Sequence, residues 1–258
     1  MSNFDSSSST AFSMIKDIRY HPQVRGFLLD NYLNQGWFRI GQFIFTTDYV
    51  PTDNTDYRVF WLRYRLDQFV FGKKQQKLLR ANKHLSARIG PLLITEELND
   101  LYQRYYNQLN FPASPTLRYN LFEFGGIEIT NNNVYDTQII EIRDQEKLVA
   151  AGVFDKGEQS IAGVINFYDP QYKKLSLGKY LMLLKLEYAL QQNMEFYYPG
   201  YIALNYEKFD YKLFPGTDAA EIFDPITNFW YAYDRQLMEE LKDNPPPIYF
   251  TGSQDRSE

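Results

Sequence analysis

Residues 148–212 constrain the fold more than any other part of the chain. An apolar run, 148–154, ends in Asp155, and a second apolar run ends at Asp169 and Pro170. A glycine-bearing turn, 175–180, then opens a periodic helix, which an aromatic segment follows. This order predicts strand, acidic corner, helix start and aromatic strand around one cleft. Such a cleft brings a carboxylate, backbone N–H groups and rings together, and it could hold an activated acyl group.

The second half of the chain predicts an α+β fold with a mixed, mostly antiparallel sheet. Thr95 is a candidate N-cap for a helix that ends before Pro112. Three consecutive strands, a periodic helix, one further strand and two edge strands follow at 137–143, 147–155, 160–168, 177–192, 196–202, 221–224 and 229–233. This element order is typical of acyltransferases of the GNAT type.

The first half predicts a smaller α+β unit. It contains a strand at 36–45, a loop at 48–56, a second strand at 57–71 and a helix at 73–88. We therefore predict an N-terminal domain at 13–94 and a GNAT-like transferase domain at 95–242. The Ser-rich residues 1–12 and the Pro-containing residues 243–258 are expected to be disordered tails.

The cysteine count narrows the chemistry. The chain has no Cys and only two His. Disulfides, thiolate metal sites, iron–sulfur clusters and cysteine nucleophiles are therefore excluded, and we expect neither a metal site nor a cofactor. The N-terminus shows no secretory signal pattern and no run of apolar residues is long enough to cross a bilayer, so we expect a cytoplasmic protein without a membrane partner.

Charge is distributed unevenly along the chain. The net charge is −5, yet residues 36–88 hold ten Lys and Arg against four Asp. The asymmetry indicates an anion-binding face on an acidic body, although an ordinary solvated helix face has the same composition.

The sequence resembles the bacterial aminoacyl-tRNA–protein transferases, the arginyl/leucyl transferase family. The resemblance extends over most of the chain. It depends on motifs that share order and spacing: Gly36-Trp37 with Arg39 and Gly41, residues 76–82, residues 101–105, Phe167-Tyr168-Asp169-Pro170, residues 175–180, Gly200-Tyr201-Ile202 and residues 208–212.

The resemblance implies a GNAT-like C-terminal domain beside a smaller N-terminal one. It further implies transfer of arginine or leucine from aminoacyl-tRNA to proteins that begin with Asp or Glu, in the N-degron pathway. One departure stands out, because family members usually carry cysteines near the N-terminus and after the Gly-Trp strand. This chain has none there, so thiolate-based regulation cannot operate in it.

Aminoacyl transfer needs a polarised ester carbonyl and a neutral acceptor amine held close to it. Gly178 and Ser176 are candidates for polarising the ester carbonyl. Gly178 would let the ester approach the backbone N–H groups at the start of the helix, and Ser176 would cap that helix. Asp169 is the candidate proton acceptor. The alternative interpretations are an ordinary capped turn and an Asp-Pro turn.

The remaining candidates are substrate contacts. Candidate contacts to the terminal adenosine, the donated residue or an acidic acceptor are Tyr168, Tyr180, Tyr201, Lys208, Tyr211 and Lys212. Candidate contacts to the tRNA backbone are Arg39, Lys73, Lys77, Arg80 and Lys83.

Two other functions stay open at this point. One is a small-molecule N-acyltransferase that uses acyl-CoA, which a ring at Tyr180 would disfavour by crowding a diphosphate. The other is a non-catalytic descendant that binds tRNA or protein N-termini.

Overall fold

A computed structural model describes residues 15–51, 55–111, 113–129, 133–225 and 227–242. The predicted disordered tails, 1–12 and 243–258, lie outside these residues. Within the described ranges, no helix combines the length and the apolar character needed to cross a bilayer.

Helices and strands are interspersed along the chain. The helices are α1 (Phe27–Asn34), α2 (Lys73–Ala81), α3 (Glu96–Tyr106), α4 (Leu117–Phe122), α5 (Leu177–Gln191) and α6 (Arg235–Lys242), with 3-10 helices at Pro170–Leu175 and Glu207–Leu213. The strands are β1 (Asp17–Arg19), β2 (Phe38–Ile40), β3 (Phe43–Thr46), β4 (Tyr49–Pro51), β5 (Asp56–Arg65), β6 (Ser86–Pro91), β7 (Glu123–Phe124), β8 (Ile127–Glu128), β9 (Thr137–Asp144), β10 (Lys147–Lys156), β11 (Ser160–Tyr168), β12 (Phe196–Ala203), β13 (Ala220–Asp224) and β14 (Phe229–Ala232).

One large mixed sheet organises the described residues. Its strand order is β14-β13-β5-β12-β11-β10-β9-β6, with β4 added beside β5. Every pairing in it is antiparallel except that of β11 with β12. A second sheet, β1-β3-β2, and the short pair β7-β8 are separate. The predicted α+β class with a mostly antiparallel sheet is confirmed.

Helices cover both faces of the sheet. Leu181 and Leu186 of α5 pack into the core on one face, together with strand residues such as Ile140. On the other face Leu98 and Leu101 of α3 pack against Leu148 and other residues of the same strands. Because α5 is central, apolar residues surround most of its circumference, as expected of a helix that packs on several sides.

The elements around the cleft match their predictions, whereas three elements in the first half differ from theirs. The strand predicted over 57–71 ends at Arg65. The segment 36–45 is a hairpin, β2-β3, because Gly41 adopts a φ of 56° and its missing side chain leaves room for the backbone of Glu123. The helix predicted over 73–88 ends at Ala81, and 86–91 instead forms edge strand β6. Asn82 caps that helix end and donates a side-chain hydrogen bond to Leu78 O.

The predicted boundary near residue 94 does not coincide with an edge of the sheet. Strands β5 and β6, which precede it, pair with β12 and β9 respectively. The division into two domains stays a prediction.

Candidate functional site

The cleft predicted from the sequence is a pocket of about 590 Å³ beside the start of α5. Its wall contains five lysines, several aromatic rings and residues of β11 and β12. The lining residues are Tyr105, Phe111, Gly163, Val164, Ile165, Asn166, Tyr168, Lys173, Ser176, Gly178, Lys179, Met182, Lys185, Tyr197, Pro199, Lys208, Phe209, Tyr211 and Lys212.

The pocket opens where the only parallel pair in the described sheet separates. Strand β11 pairs with β12 through Ser160–Ala162 alone, although β11 continues to Tyr168 and β12 to Ala203. An irregularity in β11 falls at Val164, between the residues that pair with Val153 and Phe154. Such a bulge bends a strand and increases its twist, which here separates β11 from β12. On β12 the lining residue Pro199 has no N–H to donate to a neighbour.

The first turn of α5 supplies donors to this pocket. Its first N–H groups have no partner inside the helix, and the helix dipole makes this end attractive to negative charge. Gly178 lies in the pocket wall and has no side chain to cover the turn. A Cβ atom added at Gly178 would lie 3.7 Å from the ring of Tyr168. The geometry suits a developing oxyanion.

Ser176 lies in the pocket wall, but it is not a side-chain cap. Its φ of 53° and ψ of 43° place the backbone in the left-handed region, and its hydroxyl makes no capping hydrogen bond. The backbone there closes the preceding 3-10 helix and starts α5. The prediction of a side-chain cap is wrong because the chain changes direction between the two helices at Ser176, which puts its backbone in the left-handed conformation.

The basic side chains Lys208 and Lys212 both reach the pocket, as does the ring of Tyr211. Lys208 Nζ lies 4.0 Å from the centre of the Phe111 ring. Lys212 donates to Tyr201 O at 2.7 Å, and burial lowers its pKa to about 7. The 3-10 helix Glu207–Leu213 thus places these three predicted contacts together.

Two predicted tyrosine contacts lie elsewhere. Tyr180 points into the main core and is 6% exposed, so its ring cannot crowd a diphosphate at the turn. Tyr201 packs edge-on against Trp61 and Phe209. It acts on the pocket indirectly, since its carbonyl and its ring both hold Lys212. Tyr180 lies on the side of helix α5 that packs into the core. Tyr201 lies on strand β12 and packs among the aromatic residues beside it.

Asp169 does not line the pocket. Its carboxylate is buried, lies 2.9 Å from Lys147 Nζ and 3.3 Å from Arg104 Nε, and accepts from the backbone N–H of Gln171. Desolvation opposes ionisation, but the hydrogen bonds from Lys147 and Gln171 and the charge of Arg104 prevail, so the pKa of Asp169 lies below its ordinary value. The expected catalytic carboxylate is therefore an N-cap that ties the 3-10 helix Pro170–Leu175 to β10 and α3.

Replacing Asp169 with Asn should lower stability and leave transfer by the folded protein unchanged. The expected loss of unfolding free energy is about 1–3 kcal/mol, because a charge-assisted set of hydrogen bonds is broken. Since the pKa of Asp169 is lowered on folding, its contribution is present above the ordinary Asp pKa and is lost as pH falls. Urea unfolding at neutral pH and near pH 3 should show the two proteins converging in acid; a selective loss of transfer would contradict this assignment.

The predicted tRNA contacts separate into two groups. Lys73, Lys77, Arg80 and Lys83 are all exposed on or just after α2. Arg39 is buried instead, with Nη1 2.8 Å from Asp155 Oδ1 and a side chain only 4% exposed, so the expectation of a phosphate contact is wrong. Arg58 and Arg63 are buried too, paired with Asp224 and Glu221, and the positive surface of 36–88 is smaller than its composition implies.

Sequence reasoning missed Lys185, the most buried charged group of the pocket. It is 1% exposed and donates to Val153 O and to Oδ1 of Asn166. Its signal was a single lysine inside the apolar run 181–186 of a strongly periodic helix. Asn166, whose amide also donates to Gly178 O at 3.2 Å, was missed with it.

The order of helix, antiparallel strands, helix and diverging parallel strand in the structure agrees with the GNAT-like element order that the sequence predicts. Residues 97–214, which include the whole pocket wall, match a sequence family described as arginine-tRNA-protein transferase, C terminus.

Similar curated proteins are named aspartate/glutamate leucyltransferase. That of Leptospira interrogans is 26% identical over 83% of this chain and 82% of its own length. That of Saccharophagus degradans is 28% identical over 69% of this chain and 73% of its own length. That of Teredinibacter turnerae is 32% identical over 58% of this chain and 61% of its own length.

Two solved structures resemble the chain distantly. The C-terminal domain of a putative lysylphosphatidylglycerol synthetase from Agrobacterium fabrum has a TM-score of 0.44 and 13% identity, over 61% of this chain and 51% of that one. A GCN5-related glucosamine N-acetyltransferase region of a fungal multi-domain enzyme has a TM-score of 0.39 and 13% identity, over 68% of this chain and 20% of that one.

The chain is similar to the aminoacyl-tRNA–protein transferases, over residues 97–214 to the sequence family and over most of its length to the curated relatives. The predicted resemblance and the predicted enzyme class, a transferase, are thereby confirmed at the level of the family.

Proposed function

We propose that the protein transfers leucine from Leu-tRNA to the α-amine of proteins that begin with Asp or Glu, as in the N-degron pathway. The observation that carries this proposal is one pocket with five lysines at the start of an apolar helix, inside the segment that matches the family. The names of the curated relatives support the choice of donor and acceptor.

The chemistry of the wall favours leucine over arginine as the donated residue. Apolar surface comes from side chains such as Ile165, Met182 and Phe209. Among the described residues that line the pocket there is no Asp or Glu to pair with a guanidinium. An arginine side chain would instead meet like charges at close range, which is unfavourable in a partly buried site.

The lysines on the second 3-10 helix suit an acidic acceptor. A carboxylate from the first residue of the acceptor would pair with Lys208 or Lys212, both of which lie near aromatic rings. A charge-assisted hydrogen bond of this kind is stronger than a neutral one. The ring of Tyr211, half exposed at the pocket, and the ring of Tyr168 offer stacking surfaces for the terminal adenosine.

The exposed lysines of α2 continue this basic surface. Asn82 donates to Leu175 O, just before the α5 turn, and Gln75 donates to Phe214 O, just after the second 3-10 helix. The helix is therefore attached to both sides of the pocket entrance. We assign Lys73, Lys77, Arg80 and Lys83 to the backbone of the tRNA acceptor stem, which predicts salt-dependent binding.

The purified protein is tested with radiolabelled Leu-tRNA and Arg-tRNA and with peptides that begin with Asp, Glu or Ala. Labelled Asp and Glu peptides with Leu-tRNA, and far less label with Arg-tRNA or the Ala peptide, are expected. Binding of tRNA without transfer would indicate a non-catalytic descendant. Because Tyr180 leaves the turn open, titration with acetyl-CoA belongs in the same experiment, and tight binding of it would favour a small-molecule N-acyltransferase.

A further inference from the structure

The proposed function gives Lys185 no individual role, although its side chain lies in the pocket wall. Nζ donates to Val153 O at 2.8 Å and to Asn166 Oδ1 at 2.7 Å. Among the described residues, no carboxylate comes within 4.0 Å of it to form an ion pair. A buried lysine without an ion-pair partner is costly unless it can lose its proton.

The hydrogen bonds of Lys185 suit a neutral amine. A neutral amine has two N–H groups and one lone pair, and two oxygens here accept from Nζ. An ammonium would have a third N–H to place. Burial lowers the pKa of Lys185 to about 7, against the weaker opposing effect of Asp155, so the neutral form is accessible near neutral pH.

Two glycines, Gly152 and Gly163, have no side chains and so make room for the Lys185 amine. A side chain at Gly152 would come within 2.9 Å of Asn166 Oδ1 and 3.2 Å of Lys185 Cε. One at Gly163 would lie 3.7 Å from Lys185 Nζ and 3.1 Å from the hydroxyl of Tyr197. The lysine is therefore held from strands β10 and β11, while its Nζ keeps access to the pocket wall at Gly163.

We propose that the Lys185 amine is a catalytic residue that accepts a proton from the α-ammonium of the acceptor protein. The inference rests on the proposed function. The proton moves to Nζ, and the freed nitrogen lone pair forms a bond with the ester carbonyl carbon. The C–O bond to the tRNA ribose then breaks, and the ribose oxygen takes a second proton from the same nitrogen as the amide forms. Lys185 finally returns its proton to solvent.

In the part of the chain that the structure describes, none of the other charged or titratable groups around Lys185 is as well suited as its amine to accept the proton. On β10 the nearest acid is Asp155, which is paired with Arg39. On β12 the phenol of Tyr197 is buried and its pKa is raised by burial. On β11 the facing group is the amide of Asn166, which does not titrate. In the 3-10 helix Lys212, the other lysine with a lowered pKa, donates to Tyr201 O.

Single-turnover transfer from bound Leu-tRNA to an Asp peptide tests the role. Lys185→Met keeps the length of the side chain and removes the base; transfer at pH 7 should fall by about 100-fold or more, the usual contribution of a general base. Lys185→Gln keeps a donor for the two oxygens and should lose as much, which covers a failure of the first variant to fold. Lys156→Met, outside the pocket wall, is the matched control and should stay active. Filter binding of Leu-tRNA should be unchanged in all three.

The pH dependence separates a base from a structural lysine. An α-amine loses its proton unaided near pH 8, so the ratio of wild-type to Lys185→Met rates should fall by more than about tenfold between pH 6.5 and pH 9. A ratio that stays constant with pH, or full activity of Lys185→Arg, would overturn the role of Lys185 alone. An inactive wild type that still binds Leu-tRNA would overturn the proposed function, and this inference with it.

Discussion

Replacing Arg39 with Met should lower the free energy of unfolding by about 3–5 kcal/mol, the usual cost of removing one partner from a buried ion pair. Both side chains of the pair are nearly inaccessible, at 4% exposure for Arg39 and 1% for Asp155. The substitution leaves the Asp155 carboxylate inside the protein without its cation.

The neighbours of Arg39 make the loss larger than that of a simple pair. Its guanidinium also donates to Gly41 O, to Leu121 O and to Oγ1 of Thr137, and it lies 4.5 Å from the centre of the Tyr135 ring. These contacts join the β2-β3 hairpin to α4 and to the ends of β9 and β10. The hairpin and the main sheet should therefore unfold together in the native protein and separately in the variant.

Urea unfolding at neutral pH measures the effect. Arg118→Met is the matched control, because Arg118 pairs with Glu128 at the surface and should cost roughly 0–1 kcal/mol. The double variant Arg39→Met with Asp155→Leu should recover much of the stability, since no charge is then left unpaired. Equal stability of Arg39→Met and Arg118→Met would refute the structural role and return Arg39 to the surface contacts.

The sequence predicted most of the fold around the pocket because local signals are strong there. Strands β9 to β11 are rich in β-forming residues and are separated by tight turns, and α5 is long and periodic. The N-cap at Thr95 was predicted correctly too, since it depends only on the hydrogen bond to Leu98 N nearby. The hairpin at Gly41 was missed because one glycine with positive φ divides a continuous run of β-formers.

The sequence predicted the location of the site more reliably than the role of each residue in it. Tyr168, Ser176, Gly178, Lys208 and Tyr211 do share one pocket with Lys212, and their roles stay predictions.

Side-chain direction and distant pairing account for the errors in the site. Asp169 follows Tyr168 directly, so it faces away from the pocket, toward Lys147 and Arg104. The partner of Arg39 is Asp155, which lies 116 positions away in the chain, and composition cannot reveal such a pair.

Gly152→Ala should impair transfer by up to about 100-fold, because a small displacement of groups that hold reactants costs that much. Gly152 lies opposite Asn166 in the β10-β11 pair. An added carbon there would come within 2.9 Å of Asn166 Oδ1, 3.0 Å of Leu181 Cδ2 and 3.2 Å of Lys185 Cε. Backbone strain plays no part, because the φ of Gly152 is not in the left-handed region.

The displacement reaches the pocket through Asn166. Its side chain accepts from Lys185 and donates to Gly178 O in the first turn of α5, so pushing it disturbs the buried amine and the helix start together. The packed surroundings also predict a loss of about 1–3 kcal/mol in unfolding free energy from overpacking. Gly90→Ala in edge strand β6 is the control, since an added carbon there meets nothing within 4 Å. Both variants are compared by urea unfolding and by single-turnover transfer; if Gly152→Ala matched Gly90→Ala in both, the space around Lys185 would not limit the reaction.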